Sequence, residues 1–236
     1  MNYRLWYREL VKTPSKDDNY FLPRSALEGL CNFDAVRVEV QRSLGYYDTK
    51  DRAEQRRIRE EAQACAEFVF GSPSAPHPAS RHRNEAASSQ KIFVILVLIG
   101  EVNLIFEFNK AGIRDTDLPF YEKDGKLWTR RPSPDEEKSK KRDSKPLDFV
   151  WHPGKMWEFA HKQWWVHVPY ISKDKSTPKA PRFKLEEGTI MPWIWVDDKI
   201  IEGGYGNVQK ICIHADHHAF VGRSIYIRFP SFISAF

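Results

Sequence analysis

The residues with the most chemical content lie between Ile200 and His218, in the run Ile-Ile-Glu-Gly-Gly-Tyr-Gly-Asn-Val-Gln-Lys-Ile-Cys-Ile-His-Ala-Asp-His-His. Gly203, Gly204 and Gly206 crowd a short turn between two runs of β character. Glycines at such a turn let backbone N–H groups approach a phosphate that a Cβ would hold off, which is the chemistry of a nucleotide loop. Walker and dinucleotide loops hand the phosphate to a helix N-terminus. Here Val208, Lys210 and Cys212 alternate with Gln209, Ile211 and Ile213, as in a second strand. The choice is therefore between a phosphate loop held by two strands and a plain hairpin turn.

His214, Asp216, His217 and His218 follow at once, and imidazole with carboxylate is a donor set that suits zinc. Their spacing does not fit one helix face, and adjacent His217 and His218 point apart in extended backbone. The expectation is a surface turn and no metal. His77 and His82 sit in a stretch from Ser72 to Gln90 rich in Ser, Pro, Ala and His, the composition of a solvated loop. Lys138, Lys140, Lys141 and Arg142 form a basic run with the look of a nuclear-import or phosphate patch, but Asp135, Glu136, Glu137 and Asp143 offset it. With 37 Lys+Arg against 32 Asp+Glu, the net charge of +5 is small for 236 residues, and nucleic-acid binding is disfavoured.

The elements that must position the turn are read from periodicity. Residues Tyr20 to Leu44 are expected to open the fold as helix, with Pro23 in the first turn and Leu27, Leu30, Ala35, Val38 and Val40 as its apolar positions. Gly45 to Asp48 break it. Asp51 and Glu54 then start a charged helix carrying Ile58, Ala62, Cys65, Ala66 and Val69, which Gly71 and Pro73 end. Lys91 to Phe108 is the most hydrophobic run, interrupted by Glu101, Asn103 and Glu107. It is too broken to span a bilayer and reads as one buried helix closed near Gly112. Residues 121–150 lose apolar periodicity and read as a charged linker. A short helix from Pro153 to Val166 carries Met156, Trp157, Ala160 and Trp164 as a packing stripe, and a Pro-rich linker follows to about residue 185. Ile190 to Val196 then turns extended.

Three cysteines, Cys31, Cys65 and Cys212, are odd in number and far apart, which argues against a disulfide framework or a disulfide-linked partner and for a reducing compartment. The N-terminus lacks the apolar core of a signal peptide. An intracellular protein, cytoplasmic or nuclear and not bound to membrane, is the expectation.

Several of these segments also occur in the order found in a known family. Glu186 to Ile194, the glycine turn, Val208 to Phe220 with its His-Ala-Asp-His-His segment, Leu22 to Leu27, and Lys91 to Phe120 with its Ile95–Gly100 core and Asp117-Leu-Pro-Phe120 ending together resemble a family of fungal Ser/Thr protein kinases. The resemblance covers most of the chain up to Phe220. Gly203, Gly206 and Val208 fall on the second glycine, third glycine and valine of the pattern G-x-G-x-x-G-x-V, with Tyr205 at the tip. The resemblance implies an α+β fold: a helical region over residues 1–120, the linker, the short helix, and over 186–236 an antiparallel hairpin like the first two strands of a kinase N-lobe. It also implies ATP with magnesium as cofactor, held by Ile200, Gly203, Gly204, Tyr205, Gly206 and Val208, and transfer of the γ-phosphoryl group to protein Ser or Thr.

The chain departs from that pattern where chemistry depends on it. Ile201 stands at the first glycine. Ala219 to Phe236 contains Arg223 and Arg228 but no lysine for the α/β-phosphates, and arginine does not replace that lysine in geometry. No His-Arg-Asp or Asp-Phe-Gly motif occurs. No residue is assigned a catalytic role, and the chain is expected to be inactive by itself. The residues from Val221 to Phe236 leave the pattern, and they are expected to mark a truncated or misread product with a poorly ordered end. The alternative function is a non-enzymatic helical module that binds another protein, with the glycine turn vestigial.

Overall fold

A computed structural model of the chain describes residues 3–14, 19–71, 88–129, 144–172, 185–203, 206–219 and 225–229. Its helices are α1 (Tyr3–Arg8), α2 (Arg24–Leu30), α3 (Phe33–Ser43), α4 (Arg52–Phe70), α5 (Gln90–Ile99), α6 (Ile105–Ala111) and α7 (Lys155–Val166). Its strands are β1 (Val11–Lys12), β2 (Tyr20–Phe21), β3 (Tyr121–Lys123), β4 (Lys126–Trp128), β5 (Trp193–Gly203), β6 (Gly206–Ile213) and β7 (Ile225–Phe229). The fold class is α+β, as expected, and the chain divides into two units. One comprises Met1–Arg8 with Leu27–His167; the other comprises Glu9–Ala26 with Val168–Phe236.

In the helical unit the local signals act where the sequence places them. Asp51 caps α4 by accepting from the Ala53 N–H at 2.9 Å, and Gly71 follows its last residue. The inner face of α4 buries Ile58, Ala62, Cys65, Ala66, Phe68 and Val69, while Arg57 bridges Glu54 and Glu61 on the solvent side. The expected helix from residue 20 to 44 is instead β2 followed by two helices. Asn32 separates the helices, because its side chain accepts from the Ala35 N–H and starts α3.

The apolar run from Lys91 is also two helices. Gly100 takes the left-handed conformation at φ 77°, its N–H bonds the Leu96 and Val97 carbonyls, and α5 stops there. A short 3-10 turn at Val102–Leu104 leads into α6, which Gly112 closes at φ 68° as anticipated. Every residue of α5 from Ile92 to Ile99 is buried. At about 1.5–3 kcal/mol for each large apolar side chain, this helix is the main hydrophobic anchor of the unit. Among the described residues no helix is long and apolar enough to cross a membrane.

The two ends of the expected charged linker are folded, which corrects that reading. Tyr121 pairs with Trp128 and Lys123 with Lys126 around a turn whose Asp124 and Gly125 have φ of 52° and 70°. Leu127 is fully buried, and its carbonyl accepts from the Leu147 N–H at 2.7 Å. Phe149 joins a ring cluster with Phe108 at 4.9 Å, and Phe108, Phe120 and Phe159 stack on one another at 5.7–6.0 Å. The middle of the linker lies outside the described residues, as does the stretch with His77 and His82.

The stripe on α7 is shifted from its expected phase. Phe159, Gln163 and Val166 face inward, whereas Trp157 is 54% exposed. Pro153 precedes the helix in a turn, and Gly154 at φ 81° is its N-cap, so the helix begins two residues later than expected.

The other unit holds the three-stranded antiparallel sheet β5-β6-β7, not the isolated hairpin expected. Ile211 pairs with Ile225 and Asn207 with Phe229, so part of the segment expected to be poorly ordered forms an edge strand. Its core is Ile171, Ile211 and Ile213, with Met191, Trp193 and Val196 against them. Strand β1 pairs with β2 in the same unit.

Candidate functional site

The glycine turn closes β5 onto β6. Ile200 pairs with Gln209, Ile201 with Val208, Glu202 with Asn207 and Gly203 with Gly206, which leaves residues 204–205 as the connection. Two-residue connections are the tightest hairpin links, and glycine suits the positive φ they demand. The structure therefore brings Gly203 and Gly206 opposite each other. Gly204 and Tyr205 lie outside the described residues. Ile200 is 54% and Ile201 53% exposed, two neighbours on opposite faces of the strand.

A nucleotide fits this arrangement poorly. The two glycines that would lend backbone N–H groups to a phosphate are ladder partners of each other, so the hairpin itself has a use for those groups. Ile201 adds a branched side chain at the position where the pattern has a glycine. The nearest charged side chain on β6 is Lys210, whose Nζ lies 5.9 Å from the centre of the Trp195 ring, a cation–π position on the sheet.

The His-Asp segment has a definite job, and it is not the exposed turn expected. Ala215–His217 form one 3-10 turn after β6, begun by His214, whose Nδ1 accepts from the Asp216 N–H at 3.3 Å. The Asp216 carboxylate accepts from both the Ser25 N–H, at 3.1 Å, and the Ser25 hydroxyl. The hydroxyl bond and the backbone bond hold its pKa below the ordinary value, against the opposing effect of burial. His217 is buried, and its ring meets Phe21 edge-on at 5.4 Å, with His214 meeting the same phenyl at 5.6 Å. Burial lowers the His217 pKa below the ordinary imidazole value. The Ile171 N–H donates to the His217 carbonyl at 2.8 Å, and the Ala219 N–H to the Ile171 carbonyl at 3.0 Å. These contacts fasten Phe21–Ser25 and Ile171 to the end of β6.

His217 is buried, whereas its neighbour His218 is only partly so. Among the described residues no group of three or more His, Cys, Asp or Glu side chains has the geometry to hold a metal ion. Cys31 and Cys65 are buried free thiols, and burial pushes the Cys65 thiol up to about 12, which makes it unreactive. Ser25 and Phe21 were not legible as partners of the His-Asp turn. They lie 191 residues from Asp216 in the case of Ser25, and no local spacing joins them.

Comparison with known proteins finds no matching family model, no matching curated protein and no matching solved structure.

Proposed function

We propose that this chain is a protein-kinase-like polypeptide, related in sequence pattern to fungal Ser/Thr kinases, in which the glycine turn is kept as a structural hairpin and transfers no phosphate. What carries the reading is the register: Gly203 faces Gly206 across a two-residue connection at the end of β5 and β6. The strand–glycine turn–strand order supports kinase ancestry. The closure of the turn on itself, with Ile201 beside it and no His-Arg-Asp or Asp-Phe-Gly motif in the sequence, supports silence. The test is incubation of the full chain with magnesium, γ-labelled ATP and a general Ser/Thr protein substrate. No label above background is expected. Labelling that disappears when Gly203 or Gly206 is replaced by valine would overturn the silence.

A second reading places the activity in the helical unit, as a protein-binding module. One observation favours it: Trp157 projects from α7 with 54% of its surface exposed, while Phe159, Gln163, Trp165 and Val166 of the same helix are buried. Exposed tryptophan is the residue type most enriched where binding energy concentrates. In the full chain, Trp157→Ala is expected to leave the fold intact and to weaken capture of a bound protein by tenfold or more, about 1.4 kcal/mol or above. Equal capture by both forms rejects this reading. The folded unit reaches His167, since Phe120, Leu127 and Phe159 all belong to its core.

A further inference from the structure

Among the described residues strand β5 is the longest, with 11 residues, and it lies at an edge of the sheet. Among the described residues its only strand partner is β6. Long apolar edge strands are templates for pairing with another chain, and proteins usually blunt them with charge. Here the apolar side chains of the edge stay in solvent: Ile194 is 45% exposed, Trp195 46%, Ile200 54% and Ile201 53%. Between them lie Asp197, Asp198 and Lys199, where β5 carries three residues against one of β6. The Asp197 carbonyl accepts from Gln209 Nε2 at 2.7 Å, and its carboxylate accepts from the Lys199 N–H at 3.1 Å, so this bulge is fixed.

The sequence around the bulge, Trp195-Val-Asp-Asp-Lys-Ile-Ile201, complements itself when reversed. An antiparallel pair of identical strands has a two-fold axis, and a regular ladder requires residues of one parity to face one another. The bulge adds two residues, so parity is conserved across it from Val196 to Gly203. With the axis at Asp198, Asp197 faces Lys199, Val196 faces Ile200 and Trp195 faces Ile201. Within Trp195–Ile201 every apolar residue then meets an apolar one, and each Lys199 meets an aspartate; at the ends of the pairing Ile194 faces Glu202. Moving the axis to Asp197 sets Trp195 against Lys199 and Val196 against Asp198, and moving it to Lys199 sets Asp198 against Ile200. In the favoured register Val196, which packs against Ile211 and Ile213, brings Ile200 of the second copy to the same face and extends the sheet's core. Its unfavourable contacts are Asp198 facing Asp198 at the axis and Ile194 facing Glu202 at the ends.

We propose that β5 is a self-association edge: two copies of this chain pair antiparallel along it, about a two-fold axis at Asp198, into one continuous sheet. The partner is a second copy because the order of charges on the edge answers itself. The test is sedimentation velocity of the full chain over a range of micromolar concentrations, with the fold of each variant checked by circular dichroism. Wild type is expected to show a concentration-dependent dimer. Lys199→Glu sets like charges opposite each other twice and is expected to weaken the dimer roughly ten-fold or more, whereas Asp198→Asn removes the central repulsion and tightens it severalfold. Lys199 and Asp198 are both exposed, so neither substitution disturbs the core. A monomer throughout the range, or a dimer whose constant fails to move in these opposite directions, overturns the proposal.

Discussion

Gln163→Leu is expected to destabilise the helical unit by about 4 kcal/mol, although leucine fills nearly the same volume. Gln163 is 1% exposed and sits on the buried face of α7. Its Oε1 accepts from the Phe120 N–H at 2.7 Å, and its Nε2 donates to the Phe120 carbonyl at 2.9 Å and to the Ala160 carbonyl at 3.0 Å. One amide thus satisfies both backbone groups of a residue that belongs to no strand and lies in the phenylalanine cluster. Removing it leaves a donor and an acceptor buried without partners, at about 1–3 kcal/mol each, and the apolar gain of leucine does not offset two such losses. Urea unfolding should show a lower midpoint with an unchanged slope. A shift below about 1 kcal/mol would mean that water or a neighbouring group takes over the role.

Asp115→Ala should have the next largest effect, about 3 kcal/mol. No side chain at Ser89 caps α5. Instead the Asp115 carboxylate accepts from the Lys91 and Ile92 N–H groups, both at 3.0 Å, and from the Ser88 hydroxyl at 3.2 Å. It therefore acts as a cap from outside the helix, on the element that buries the most apolar surface. Burial, opposed by those hydrogen bonds, pushes its pKa up to about 6 from 3.8. An acid whose folded pKa is raised binds its proton more tightly when folded, so its contribution falls as pH rises from about 4 to about 6. His167 in the same unit behaves in the opposite way. Burial, with Lys91 adding to it, lowers its pKa to about 4 from 6.5, and its contribution falls as pH drops through that interval. The two groups oppose each other between pH 4 and 6, and wild-type stability should be nearly level there on their account. Asp115→Asn removes one side of the balance. Its stability should then decline on acidification more steeply than wild type, measured by urea midpoints at matched pH; parallel profiles would contradict the assignment.

These two residues show where the sequence is readable and where it is not. Asp51 and Gly71 bracket α4 with signals one residue from its ends, and they were legible. Gly112 was legible for the same reason. Gly100 carries the same helix-ending chemistry, but it lies inside so hydrophobic a run that the run's continuity masked the stop. Asp124-Gly125 is a strong two-residue hairpin signal, but Glu122, Lys123 and Lys126 give its flanks the composition of a linker. On α7 residue type alone does not give the phase: Trp165 is buried and Trp157 exposed, and the polar Gln163 lies on the inner face. Asp115 and Asp216 had no local signal at all. The first caps a helix from 23 and 24 residues away and the second binds Ser25 from 191 away, so only the folded chain brings the partners together.

The glycine turn was legible as a hairpin between two strands. What spacing could not give was its closure, with Gly203 facing Gly206, nor the third strand that widens the sheet. Both matter to function, because a turn whose glycines serve the ladder has less to offer a phosphate.

Titration calorimetry of the full chain with Mg-ATP tests this account most directly. No saturable heat is expected at any ratio of nucleotide to protein, and the same flat trace is expected for a Gly203→Val variant. A saturable heat of binding in the wild type that the Gly203→Val substitution abolishes would contradict it.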